Sequence, residues 1–233
     1  MRIVDHPSPN HDARPGVVDM LILHYTGMRD EAAALARLSD PAAKVSAHYL
    51  IDEDGAVIRL VPEKRRAWHA GASYWRGRTD INGASIGIEL VNPGHEFGYR
   101  DFPAAQMEAL AELAAGIVRR HPIPPRHVLG HSDVAIGRKQ DPGERFDWQG
   151  LARRGVGLWP DFASAAATSG DIAALQRDLA SFGYRCPTTG MLDEETRAAV
   201  RAFQLHFRPA RVDGGSDDET RVRAAVVARA AAV

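Results

Sequence analysis

The chain has 233 residues, 29 basic and 30 acidic side chains and a formal net charge of −1. With 45% hydrophobic and 25% charged residues it reads as a globular protein with a substantial core, long enough for two unequal domains and without the basic footprint of a nucleic-acid binder. Its single cysteine, Cys186, excludes an intrachain disulfide framework and any zinc site needing several thiolates.

In chain order, the first apolar run spans residues 17–24. It is nearly continuous, as in a strand buried on both faces, and ends at His24. A short Ala-rich helix is expected over 31–38. Runs at 47–51 and 56–61 flank the acidic, Gly-ended turn 52–55 and predict a hairpin. Residues 85–92 predict another strand, in which Ile86, Ile88 and Leu90 share one face and Glu89 takes the other. Pro103 opens a helix with Met107, Leu110, Ala114, Ile117 and Val118 at helical spacing, ended by the proline-rich stretch 121–125. A short strand over 127–130 leads into His131. This order predicts an α/β fold, a mixed central sheet flanked by helices.

From about Gly157 the texture changes. Residues 161–170, rich in Ala, Ser and Thr, read as a linker between a domain over 1–160 and a small one over 171–233. In the latter, Ile172, Leu175 and Leu179 mark one amphipathic helix, Val200, Phe203 and Phe207 a second, and Val222 and Val226 a third. Asp193, and Asp217 or Asp218, stand where N-caps belong. No run approaches the ~20 apolar residues of a spanning helix, and the N-terminus carries no export-signal pattern.

Among ten histidines, His24 and His131 stand at the ends of predicted strands, and Asp141 lies in the loop 137–143. Strand ends and loops are where a rigid scaffold presents functional groups. Two histidines and a carboxylate would suit zinc with an open fourth position, but spacing alone does not assemble them.

Five strings occur in order: Ile22-Leu23-His24-Tyr25-Thr26, Val45-Ser46-Ala47-His48-Tyr49-Leu50-Ile51, Ala67-Trp68-His69-Ala70-Gly71, Ser85-Ile86-Gly87-Ile88-Glu89, and Gly130-His131-Ser132-Asp133 with Arg138-Lys139-Gln140-Asp141-Pro142-Gly143. Together they resemble the AmpD/AmiD-like N-acetylmuramoyl-L-alanine amidases of the type-2 zinc amidase family, over residues 2–160. Gly190-Met191-Leu192-Asp193 and Ala202-Phe203-Gln204 resemble a three-helix peptidoglycan-binding domain.

The resemblance implies hydrolysis of the amide between the lactyl group of N-acetylmuramic acid and L-alanine, in peptidoglycan or muropeptides. It implies one zinc ion per chain on His24, His131 and Asp141. Glu89 is then the proton-transfer residue and Lys139 the cation for the developing oxyanion. His69, Trp75, Asn92, and Arg78 or Arg138 are the substrate-contact candidates. A non-catalytic peptidoglycan-recognition protein on the same fold is the alternative, which loss of a ligand would favour. The missing export signal points to the cytoplasm, and a wall-binding tail to the periplasm or cell envelope instead.

Overall fold

The computed structural model describes residues 2–163 and 170–231. In chain order the first half comprises β1 (Ile3–Asp5), β2 (His11–Ala13), β3 (Met20–Tyr25), α1 (Glu31–Ser39), β4 (Tyr49–Ile51), β5 (Val57–Arg59), β6 (Arg65–Ala67), α2 (Ile81–Ala84) and β7 (Ser85–Leu90). It continues with α3 (Gly94–Phe97), α4 (Ala104–Arg120), β8 (Val128–Gly130), α5 (His131–Val134) and α6 (Trp148–Arg153), and the tail holds α7 (Ile172–Phe182), α8 (Glu194–Phe207) and α9 (Asp218–Ala230). The expected linker falls partly on residues 164–169, outside the described residues.

The main sheet has the order β1-β5-β4-β7-β3-β8 and is mixed: β4 and β5 form the predicted antiparallel hairpin, and the other pairings are parallel. Strands β2 and β6 pair separately as a two-stranded ribbon. Strands β1, β2 and β6 were not legible in the sequence. Each has three residues, mostly exposed or half-buried, too short and too polar to show a period.

The two faces of the sheet go to different partners. Leu21 and Leu23 of β3 and Ile86, Ile88 and Leu90 of β7 pack with Leu110, Ala114 and Ile117 of α4. Met20 and Ile22, on the other face of β3, join a cluster that runs through Trp75, Ile81 and Val134 to Leu175, Phe182, Phe203 and Phe207 of the tail. The three-helix unit is therefore docked on the sheet by a continuous apolar core. Trp75 meets Phe182 and Tyr184 edge-to-face, with ring centroids 5.3 and 5.2 Å apart. A Cβ on Gly183 would come within 2.5 Å of the Trp75 ring, so only glycine allows this approach. Polar groups fix the seam: the Arg76 guanidinium donates to the Ser181 and Phe182 carbonyls. The buried Asp133 carboxylate of α5 accepts from Tyr184 Oη at 2.6 Å and pairs with His206 Nδ1 at 2.8 Å.

Within the tail, Asp171, Asp193 and Asp217 cap α7, α8 and α9, each accepting a backbone N–H three residues on. The structure also reveals a repeat. Buried Gln176 donates to Thr189 Oγ1, Met191 O and Thr196 Oγ1 and accepts from Gly190 N. Buried Gln204 donates to Asp213 Oδ1, Gly215 O and Thr220 Oγ1 and accepts from Asp213 N and Gly214 N. Each glutamine pins the loop that leads into the next helix, whose capping strings Asp193-Glu194-Glu195-Thr196 and Asp217-Asp218-Glu219-Thr220 match.

Candidate active site

Parallel strands present functional groups at their carboxyl ends, and here three adjacent strands do so together. In the β3–β7 register His24 lies directly opposite Glu89, so both side chains project from the same face. His131 follows β8 immediately, as the first residue of α5. Asp141 returns in the loop after α5, where its carbonyl accepts the Ser132 N–H.

His24 Nδ1, His131 Nδ1 and Asp141 Oδ2 form a triangle with every side 3.0 Å. Among the described residues it is the one group of three or more His, Cys, Asp or Glu side chains poised to hold a metal ion. The surroundings decide which atoms carry protons. Ser85 Oγ donates to the Ile81 carbonyl at 2.7 Å, so toward His69 Nε2, 3.2 Å away, it accepts. The His69 proton is thus on Nε2, and its Nδ1 accepts from His24 Nε2 at 3.0 Å. His131 Nε2 donates to the Ala70 carbonyl at 3.0 Å.

With both rings neutral, as metal ligands must be, both Nδ1 atoms are therefore bare. Two lone pairs and a carboxylate oxygen converge with no hydrogen between them, which is repulsive unless a cation sits among them. A tetrahedral ion with bonds of ~2.0 Å needs donor atoms about 3.3 Å apart, close to the observed triangle. The donor set fits zinc, and the hydrogen bonds behind the histidines are of the kind that orient metal ligands.

Electrostatics agree. Burial, and then the nearby His131, pull His24 down to about 4, so it is neutral near pH 7. Burial, reinforced by His24 and His48, holds His69 well below the usual histidine range. Glu89 is 9% exposed, and burial, then Asp141, raise its carboxyl well above the usual range. Its Oε2 has no hydrogen-bond partner. Gly87 on the same strand makes room for the relay, since a Cβ there would come within 2.5 Å of the His69 ring.

These groups open into a cleft of about 760 Å³ whose lining includes His24, His69, Glu89, His131, Lys139 and Asp141. Arg138 stands at the rim, its guanidinium held by the Ala70 and Ala72 carbonyls. His69 lies beneath the triangle as the partner of His24.

Three of the expected substrate contacts are elsewhere. Trp75 is fully buried against the tail, because its large apolar ring fills the seam beneath Phe182. Arg78 forms a two-point ion pair with Asp19. Asn92 is fully buried, donates to the Arg100 carbonyl and accepts from Gly94 N, so it shapes a turn. Sequence reasoning missed Ser85, Arg37 of α1 and Arg201 of α8, the last two lining the cleft.

The sequence pattern of N-acetylmuramoyl-L-alanine amidases matches residues 13–144, and that of a putative peptidoglycan binding domain matches residues 168–223. The N-acetylmuramoyl-L-alanine amidase AmiD of Escherichia coli (strain K12) is 40% identical over 224 residues, 88% of this chain and 80% of the relative. The chain belongs to the N-acetylmuramoyl-L-alanine amidase family. The 1,6-anhydro-N-acetylmuramyl-L-alanine amidase AmpD of the same strain is 35% identical to it over 161 residues, 61% of this chain and 86% of the relative.

Solved structures agree. E. coli AmiD, in complex with the substrate anhydro-N-acetylmuramic acid-L-Ala-D-gamma-Glu-L-Lys, superposes with a TM-score of 0.81 at 38% identity, covering 94% of this chain and 92% of that one. AmpDH3 of Pseudomonas aeruginosa gives 0.82 at 36% identity, covering 93% and 94%. The amidase described here thus shares both the mixed α/β fold and the helical C-terminal region with these enzymes. No helix among its described residues is long and apolar enough to cross a membrane.

Proposed function

We propose that this amidase hydrolyses the bond between the lactyl group of N-acetylmuramic acid and L-alanine in muropeptides, with one zinc ion held by His24 Nδ1, His131 Nδ1 and Asp141 Oδ2. The observation that carries the reading is the triangle of unprotonated donors beside a buried, unpartnered Glu89. Substrates of this class accompany two structural neighbours: AmiD with an anhydromuramyl tripeptide, and AmpDH3 with an anhydromuramic pentapeptide. Residues 1–160 form the catalytic unit and 171–233 a peptidoglycan-binding-like unit, in line with the two matched patterns.

Zinc at this site would activate water and polarise the scissile carbonyl. The rest belongs to the chain. Glu89, opposite His24 in the register and proton-avid through burial, takes a proton from the attacking water and returns it to the departing L-alanine nitrogen. Lys139, exposed at the cleft, offers its ammonium where negative charge develops on the carbonyl oxygen. Ser85, His69 and the Ala70 carbonyl hold the histidine tautomers.

Chelation should abolish turnover, and added zinc should restore it. The products should be a free L-alanine amine on the peptide and a lactyl carboxylate on the sugar. Undiminished activity in exhaustively metal-free protein, or a cut within the peptide, would overturn the reading.

A further inference from the structure

The sheet face that carries His24 and Glu89 is the face the tail covers, since His24 shares its side of β3 with Met20 and Ile22. One consequence is that the tail supplies part of the cleft wall: Ala198, Arg201, Ala202 and Leu205, at helical spacing, bring one face of α8 into it. The placement is rigid. His206, on the same helix, pairs with Asp133, two residues from His131, and stacks on Trp148 with centroids 3.7 Å apart.

Among the described residues Arg201 is the one arginine of the tail that lines the cleft. Arg208, Arg211, Arg221 and Arg223 each pair with a carboxylate. Arg201 is exposed, lines the cleft and takes no ion pair among the described residues. Arg37, from α1, lines the same cleft and is likewise unpaired among them. Two unpaired guanidiniums in one cleft suit an anionic ligand.

In a muramyl peptide the lactyl carboxyl is consumed in the scissile amide, so the carboxylates lie on the peptide. A γ-linked glutamate keeps its α-carboxylate free, and a tripeptide adds its C-terminal one.

Resting on the amidase reading above, we propose that Arg201 of the C-terminal unit binds a stem-peptide carboxylate, which makes the tail helix α8 part of the substrate site. The bound peptide then runs from the His24–Glu89 centre toward α8, and the tail contributes to specificity for soluble fragments.

The test is calorimetric binding of the tripeptide L-Ala-D-γ-Glu-L-Lys to the full-length protein and to Arg201→Ala. Two further probes carry an amide in place of the glutamate α-carboxylate or of the C-terminal carboxylate. Arg201→Ala should weaken the acid peptide about 10- to 100-fold, as loss of a charge-assisted pair does. With one of the amidated peptides the two proteins should bind alike, identifying the carboxylate. Equal binding of the acid peptide by both proteins, or the same loss with every probe, would overturn the proposal. Because the probe has no scissile bond, this outcome is separate from the amidase reading, which hydrolysis of the intact muropeptide by the wild-type protein tests.

Discussion

Both halves of the molecule bury polar side chains, but they leave them in opposite states. In the tail, Gln176 and Gln204 spend their amides on nearby loop groups, and Thr196 and Thr220 complete each network. In the sheet half, the chain Ser85–His69–His24 and the pair His131–Ala70 end on two bare nitrogens aimed at a carboxylate. A closed network specifies a fold, whereas a network that stops on unshared lone pairs costs stability unless something binds there. The comparison separates scaffold from site by hydrogen-bond accounting alone.

The largest test of the boundary between the halves is removal of the tail. A chain ending at Ala163 exposes Trp75, Val134 and Ile22, which lie in the shared cluster, and leaves Asp133 without Tyr184 and His206. Deleting side chains of Phe or Trp size from a core costs about 3–5 kcal/mol each. The melting temperature should fall by roughly 10 °C or more, and activity on small muropeptides should fall with it. Sequence texture suggests instead a separately folding accessory. A truncated protein with unchanged melting and turnover would restore that view.

Next in size is Glu89→Gln. It should retain metal and fold while kcat drops roughly 10²-fold or more, the scale of lost proton-transfer catalysis. Metal content and single-substrate kinetics check this, and loss of zinc with unchanged turnover per bound ion would reassign Glu89 as a ligand support.

Ser85→Ala probes the relay. With its acceptor gone, His69 is free to place its proton on Nδ1, and His24 loses its fixed tautomer. Zinc affinity should fall about 10- to 100-fold, as for other groups behind metal ligands, in competition titrations against a chelator. An unchanged affinity would mean that the tautomer is set by other groups.

The extent to which the sequence disclosed all this varies with the kind of signal. The apolar run ending at His24 and the alternation around Glu89 carried the strand assignments and the side to which Glu89 points, because burial imposes a period. The candidate triad could be named only through ordered motifs, since Asp141 reaches it by a loop with no periodicity. Trp75, Arg78 and Asn92 lie just beyond these motifs in the chain but pack or pair, and nothing local distinguishes a buried tryptophan from a groove tryptophan. Arg201 was invisible because its role depends on how the tail docks. The short strands β1, β2 and β6 lacked the length to show a pattern.

Acid should find the sheet half first. His48 is fully buried, and burial, then the Arg14 charge, lower it to about 3. In the unfolded chain it titrates near 6.5, so below that pH the unfolded state binds a proton that the folded state refuses. Its contribution is intact above about pH 6.5 and is lost progressively as pH falls toward 3. Melting temperatures between pH 7 and 4 should decline less steeply in His48→Asn than in the wild type. Parallel slopes would show that other groups govern acid lability.

The smallest effect is expected from Gln176→Ala, the counterpart of Ser85→Ala in the other half. Removing the amide frees Thr189 Oγ1, Met191 O and Gly190 N in the loop before α8, where water reaches part of the loop. Thr196 Oγ1 stays buried and loses its best partner, though the Met191 carbonyl is 3.3 Å away. A buried group left partly unsatisfied costs about 1–3 kcal/mol, so denaturant unfolding should shift by that amount. Zinc affinity should be untouched, because among the described residues no hydrogen bond connects this network to His24 or His131. Equal stability in the two proteins would mean the tail's glutamines do not hold its loops. A loss of zinc affinity like that of Ser85→Ala would mean that the two halves form one polar network, and the distinction between scaffold and site would fail.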